Sequence, residues 1–275
     1  MAGDQFYSIH PRKGTNAILD KKVKGQVVKT AVSSFSNAST RKAHTKGGGL
    51  MRTVDGNVLI GPDALETIEK EDFTTTRHSI ELTLQRQGRT SPALAENQII
   101  TYFSGIRACT YEEDFVVSKG RFVKNIVHAA GIQSPGLTAA PAIGVDAARM
   151  AVDILSDEKT VEKNPDFDPI RKSAPRLASM EISEREKLIA ANPDYGLIIC
   201  RCEEISKGEI LDALRRNVPC DTIDGVKRRV RPGSGRCQGG FCGPLVLDII
   251  AKEKNLQPDK VRKNGASSEL LFRKE

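Results

Sequence analysis

No apolar run in this 275-residue sequence approaches the roughly 18 consecutive residues that cross a bilayer, so a membrane-spanning helix is not expected. The first residues, MAGDQFYSIHPRKG, lack an apolar stretch between a basic start and a small-residue cleavage site, so a secretory leader is not expected either. A cytoplasmic address follows by default. No internal repeat suggests a solenoid or array. Cysteine is nearly missing from the first 199 residues, where Cys109 stands alone, and the other five fall between 200 and 242. In a reducing compartment this distribution argues against a disulfide framework and points to metal or redox chemistry in one short segment.

What is present fits a globular chain long enough for two domains, with 39% hydrophobic and 28% charged residues. The net charge is +7, but 42 basic residues are interspersed with 35 acidic ones, which argues against a nucleic-acid interface. The same balance suits anionic substrates or a negatively charged metal cluster.

From Met1 to about Leu155, short apolar runs at Asn57–Ile60, Gln98–Phe103, Phe115–Val117 and Ile126–His128 predict strands between polar or Gly-rich turns. A helix is expected after Thr74–Thr76, any of which can cap it, and a second from about Thr138 to Leu155. Gly47–Met51 reads as a flexible turn. Residues 156–194, rich in charge and proline, read as a linker with one short helix at Ser183–Ala191. Order resumes over residues 195–255, and residues 256–275 form a polar tail.

The cysteines are spaced Cys-x-Cys, then 34 residues, then Cys-x4-Cys, as Cys200, Cys202, Cys237 and Cys242. Four thiolates are the ligand set of a [2Fe–2S] cluster. Zinc also takes four thiolates, but its structural sites favour Cys-x2–4-Cys pairs, which Cys-x-Cys fits poorly. Ser206 and Glu209 form a capping-box pattern just after the first pair, and Pro244 suits a first helical position just after the second. Both pairs therefore belong beside helix N-termini. Lys227, Arg228, Arg229, Arg231 and Arg236 would favour the cluster's negative charge, and glycines 233, 235, 239 and 240 would let backbone N–H groups approach the sulfurs. Cys109 and Cys220 read as core or surface cysteines, and His44, His78 and His128 as structural histidines.

The segment from about Gly196 to Lys254, with CRCEEISKGEILDAL, DGVKRRVRPGSGRCQGGFCGP and all four cysteines, resembles the bacterioferritin-associated-ferredoxin-like [2Fe–2S] domain. The first 155 residues contain HPRKGTNAILDK, GNVLIGPDALETIEKEDFTTTRHSIELTL, YFSGIRACTYEEDFVV and VHAAGIQSPGLTAAPAIG. These resemble the C-terminal half of FAD-dependent oxidoreductases related to D-amino-acid oxidase, within them the anaerobic-type glycerol-3-phosphate dehydrogenases and the 2-hydroxyglutarate oxidases. The resemblance implies an α+β fold class: the substrate half of a flavoprotein oxidoreductase over residues 1–155, plus a small helical [2Fe–2S]-binding domain. It implies two cofactors, FAD and the cluster.

The resemblance also assigns roles. Gly131, Ile132, Gly136, Leu137 and Thr138 match the loop that contacts the flavin, and Arg107 matches the arginine that forks onto the substrate's carboxylate or phosphate. Ala108 stands where relatives often have proline, which leaves the substrate open. His10 and Arg12 begin a segment near the active site and are candidates for anion binding or proton transfer.

No Gly-x-Gly-x-x-Gly turn follows a strand in this sequence, so the half of the FAD site that grips the pyrophosphate is expected on other residues, on a fragment's missing part or a partner polypeptide. The helix after Ser134 would then expose apolar surface. The reading is part of an FAD-dependent dehydrogenase for a small anionic hydroxy substrate, foremost glycerol 3-phosphate, passing electrons to the cluster and on to an acceptor protein or a quinone-linked subunit. Such a subunit would place the chain peripherally at the inner face of a membrane. The alternatives are a non-catalytic iron–sulfur or docking subunit, and a 2-hydroxyglutarate or amino-acid oxidase.

Overall fold

The computed structural model describes residues 3–23, 25, 32–33, 48–171 and 173–272. The chain divides into two units, Met1–Phe167 and Asp168–Glu275. The spine of the first unit is strand β1 (Ile9–Leu19), flanked on both edges. Along one edge it pairs antiparallel with β6 (Ile99–Thr110), from Ile9 opposite Thr110 to Leu19 opposite Ile99. Along the other it takes β4 (Val58–Gly61) against Ala17–Leu19 and β5 (Leu65–Glu66) against Arg12–Lys13. Beyond β4 lie β3 (Gly49–Arg52) and β2 (Val32–Ser33). The flexible turn expected at Gly47–Met51 is therefore corrected: Gly49 pairs with Gly61 and Leu50 with Ile60, and Leu50 is buried in the core. Gly47 and His44 lie outside the described residues.

Ala17, Leu19, Leu50, Val58 and Ile60 form the buried face of this sheet, with Leu84 of helix α1 (Arg77–Gly88) packed against them. Thr76 starts that helix, its side chain accepting from the Ser79 N–H. A separate hairpin, β7 (Val116–Lys119) with β8 (Val127–Ala130), supports helix α2 (Gly136–Ser156). That helix leaves Leu137, Val145, Val152 and Leu155 exposed. The hairpin is tied to the N-terminal segment by Asp4, which accepts from the Arg121, Phe122 and Val123 N–H groups and pairs with His128 Nε2 at 2.6 Å. Burial acts to raise the Asp4 carboxyl, but the His128 contact and the three N–H groups hold it below its ordinary value. Tyr7 reaches the other His128 nitrogen at 3.1 Å, so His128 is a structural histidine, whereas His78 is exposed on α1.

In the second unit, helix α3 (Ile182–Ala191) precedes a short hairpin of β9 (Ile198–Cys200) and β10 (Ile205–Ser206). Helices α4 (Lys207–Arg215), α5 (Ile223–Val230) and α6 (Gly243–Glu253) follow. Ile205, Ile210, Leu214, Val226, Val246 and Ile250, each at most 2% exposed, form the core between them. Each such side chain stabilises the fold by about 1.5–3 kcal/mol relative to exposure. The capping box is present: Ser206 Oγ accepts from the Glu209 N–H, and Glu209 Oε2 accepts from the Ser206 N–H at 2.8 Å. Among the described residues, no helix is long and apolar enough to cross a membrane.

Candidate functional site

The β9–β10 hairpin carries Cys200 at the end of its first strand and Cys202 in its turn; the loop between α5 and α6 carries Cys237, and Cys242 sits at the N-cap of α6. The thiols meet in two pairs. Cys202 and Cys237 sulfurs are 3.9 Å apart, and Cys242 is in hydrogen-bonding contact with Cys200. Two sulfurs bound to one tetrahedral metal at about 2.3 Å lie about 3.8 Å apart, so the Cys202–Cys237 spacing suits one iron, and each pair takes one cysteine from each motif. Among the described residues no three His, Cys, Asp or Glu side chains converge on a single ion. The donor set and its pairing fit a [2Fe–2S] cluster.

Electrostatics follow from this crowding. Burial first, and then Cys200 and Cys237, push the Cys242 thiol up to about 12. Burial also acts to raise Cys237, but N–H groups of Phe241, Gly239 and Gly240 turned onto its sulfur, with the Cys202 contact, bring it below its ordinary value. Gly235 lets the two loops meet: a Cβ there would lie 2.4 Å from the Cys202 Cβ. Of the expected cations, Lys227 reaches Gln238 at 3.1 Å, beside Cys237, and Arg231 reaches Glu203 at 3.1 Å, beside Cys202. Arg228 turns to Asn264 and Arg229 to backbone carbonyls, while Arg236 is exposed. Cys220 is buried, its thiol donating to the Ala213 carbonyl.

In the first unit, Arg107 of β6 extends across Gly14 of β1, where a Cβ would lie 2.4 Å from its Nη2. That nitrogen donates to the Asp63 carbonyl at 2.9 Å, and burial lowers the guanidinium's pKa. Arg12, opposite Arg107 in the ladder, is 2% exposed and donates to Glu66 at 2.6 Å and to both oxygens of Glu113. The Glu113 and Glu66 bonds raise its pKa against the opposing effect of burial. His10 stands between the same carboxylates, 3.3 Å from Glu66 and 3.6 Å from Glu113, with its ring against Tyr111. The Cys109 thiol donates to Gln133, which donates in turn to Glu113 at 2.9 Å. This network joins β1, β6 and the loop ahead of α2. Sequence reasoning named His10, Arg12 and Arg107 but missed Glu66, Glu113 and Gln133, which no local spacing connects.

The loop at Gly131–Thr138 leads into α2. Gly131 has φ +64°, and a Cβ there would lie 2.5 Å from Thr110; a Cβ on Gly136 would lie 2.4 Å from Ile132. Both glycines are thus required by the loop's own packing. Leu137 and Thr138 are exposed at the N-terminus of α2, whose free N–H groups favour negative charge. These are the residues of this chain that could touch a flavin.

A mixed sheet-and-helix unit carrying a half-buried arginine is thus followed by a helical unit with four thiols, the donor set of an iron–sulfur protein. The chain belongs to the FAD dependent oxidoreductase family, whose profile matches residues 7–150, and it carries a BFD-like [2Fe-2S] binding domain at residues 198–252. The cofactors of these two families are FAD and the [2Fe–2S] cluster. The chain is 39% identical over 272 residues to a glycerol 3-phosphate dehydrogenase of Caloramator mitchellensis, covering 98% of this chain and 55% of that protein. It is 37% identical over 132 residues to a glycerol 3-phosphate oxidase of Mycoplasma genitalium, covering 45% of this chain and 32% of that one. The chain thus spans about half or less of the length of these relatives. The fold resembles that of the glycerol-3-phosphate dehydrogenase of Bacillus halodurans complexed with FAD, with TM-score 0.55, 12% identity, and coverage of 92% of this chain and 55% of that chain.

Proposed function

We infer that this chain is the substrate- and cluster-bearing part of an FAD-dependent dehydrogenase that oxidises glycerol 3-phosphate. The observation that carries the reading is the collinear 39% identity, through both units, to a glycerol 3-phosphate dehydrogenase. When bound, the flavin supplies a two-electron acceptor and the cluster a one-electron acceptor.

Arg107 orients the substrate: its guanidinium is fixed by the Asp63 carbonyl and can fork onto a phosphate or carboxylate. Arg12 spends its donors on Glu66 and Glu113, so its part is to hold those carboxylates around His10. His10 turns one ring nitrogen to Glu66 and the other to Glu113, which places it to relay a proton between them. Gln133 locks the loop Gly131–Thr138 to β6 through Cys109. Cys200, Cys202, Cys237 and Cys242 hold the cluster. The exposed apolar face of α2 suits a polypeptide that supplies the rest of the FAD site. A separate acceptor, a protein or a quinone-linked subunit that brings the enzyme to the inner face of a membrane, takes the electrons onward. No nucleic acid is involved.

The test is anaerobic reconstitution with FAD, with and without a co-encoded FAD-binding polypeptide, followed by addition of glycerol 3-phosphate, 2-hydroxyglutarate or amino acids in turn. Flavin bleaching by glycerol 3-phosphate supports the reading. Bleaching by 2-hydroxyglutarate or an amino acid instead moves the substrate, and no flavin retention in either condition leaves an iron–sulfur carrier.

A further inference from the structure

The second unit contains a cavity of about 460 Å³ that belongs neither to the four cysteines nor to Arg107. Its wall includes Arg171, Arg176, Arg216, Arg229 and Arg231, with Glu209 as its one carboxylate. Glu209 already serves the capping box and accepts from the Leu177 N–H. Outside the wall, Glu203 pairs with Arg231. Among the described residues, the wall together with Glu203 carries five guanidinium groups and two carboxylates, a formal excess of three positive charges.

Helix ends explain part of this. Arg216 and Arg231 are the C-caps of α4 and α5, where cations answer the negative end of the helix dipole. Arg171 and Arg176 are different: they come from the segment ahead of α3, and Arg176 caps the N-terminus of the 3-10 turn Leu177–Ser179, an end that does not favour a cation. Arg229 donates to the Gly225 and Val218 carbonyls at 3.1 and 2.8 Å, and Arg231 is fixed by Glu203. Neutral carbonyls position the Arg229 charge without cancelling it, and a preset donor costs little entropy when a ligand arrives.

We propose that this cavity binds a small polyanion of the diphosphate class. Guanidinium forks suit phosphoryl oxygens, and the volume falls within the roughly 300–1,000 Å³ of small-molecule sites. One phosphate monoester carries about −1.5 to −2 charges at pH 7, so two phosphoryl groups are needed to balance an excess of three. Arg231 contributes to the cavity and also contacts Glu203, next to Cys202, so an occupant would share a residue with the cysteine loop.

The test is isothermal titration calorimetry of the full chain, purified anaerobically, with inorganic pyrophosphate as the probe. The expected result is saturable one-to-one binding, at least roughly tenfold tighter than inorganic phosphate, as one further charge-assisted hydrogen bond would give. The double variant Arg171→Gln/Arg216→Gln, with unchanged circular dichroism, should bind at least about tenfold more weakly. Arg171→Gln alone, on an exposed side chain, should weaken binding in the same direction. Lys252→Gln, which removes one exposed positive charge of the same unit away from the cavity wall, should shift affinity by less than about twofold. Absence of saturable pyrophosphate binding, wild-type affinity in the double variant, or an equal loss in Lys252→Gln would overturn the proposal. So would binding of a poly-glutamate peptide with none of pyrophosphate, which would make the cavity a protein-docking site.

Discussion

Replacing Gly235 with alanine is the sharpest perturbation of the cluster site that leaves every cysteine in place. The new Cβ would lie 2.4 Å from the Cys202 Cβ and 3.4 Å from its sulfur. Ordinary carbon contacts begin near 3.5 Å, so one of the two loops must retreat by about 1 Å. Cys202 and Cys237 sulfurs are 3.9 Å apart, close to the spacing that one tetrahedral iron requires, and a displacement of that size separates them. Overpacking of this kind costs about 1–3 kcal/mol, too little to unfold a core built from Ile205, Ile210, Leu214, Val246 and Ile250. Gly235→Ala should therefore remain folded by circular dichroism yet lose most of its iron and visible absorbance after anaerobic purification. Gly243→Ala is the matched control, because a Cβ there meets nothing within 4 Å even though it adjoins Cys242. Iron retained in full by Gly235→Ala, or lost equally from Gly243→Ala, would refute the reasoning.

Other outcomes follow from the same geometry. Arg107→Lys keeps the charge but loses the fork, so kcat/KM of the reconstituted enzyme should fall roughly 10- to 100-fold, mostly through KM; an unchanged value removes Arg107 from the substrate site. Leu214→Ala opens a cavity in a fully buried position of the second unit and should cost about 2–5 kcal/mol in urea unfolding, while a change under about 1 kcal/mol contradicts the core described. The Asp72 carboxyl is held at about 2, first by the Lys13 ammonium at 2.7 Å and then by Thr74. A depressed carboxyl stabilises fully above its ordinary value of 3.8, and the contribution is lost as the pH falls toward 2, so Asp72→Asn should unfold less steeply than wild type across that range. Parallel acid-unfolding curves would show that the pair does not contribute.

The features legible in the sequence were those with local physical signals. Thr76, Ser206 with Glu209, and Pro244 marked helix starts because capping is a matter of three or four adjacent residues. The four cysteines were visible as a spacing, although their pairing across the two motifs was not. Strand β1 was missed because HPRKGTNAIL shows no apolar alternation. It is buried on polar residues satisfied at long range, Arg12 by Glu66 and Glu113, Lys13 by Asp72, and Thr15 by Ser104. Helix α5 was missed for a related reason: IDGVKRRV is short and contains Gly225, whose missing side chain accommodates Thr222 and Cys220. The strand at Gly49–Arg52 was hidden by the glycine run ahead of Leu50, where pairing with β4 and burial of Leu50 outweigh the flexibility of glycine.

The central claim is that electrons from substrate reach the four-cysteine site, and low-temperature electron paramagnetic resonance tests it most directly. The chain is loaded anaerobically with iron, sulfide and FAD, together with the polypeptide that completes the FAD site, and then mixed with glycerol 3-phosphate. The account predicts the signal of a reduced [2Fe–2S] centre in wild type and none in Cys202→Ser. Full loading with FAD and iron but a cluster that stays oxidised, or stoichiometric zinc at the four cysteines in place of iron, would contradict it.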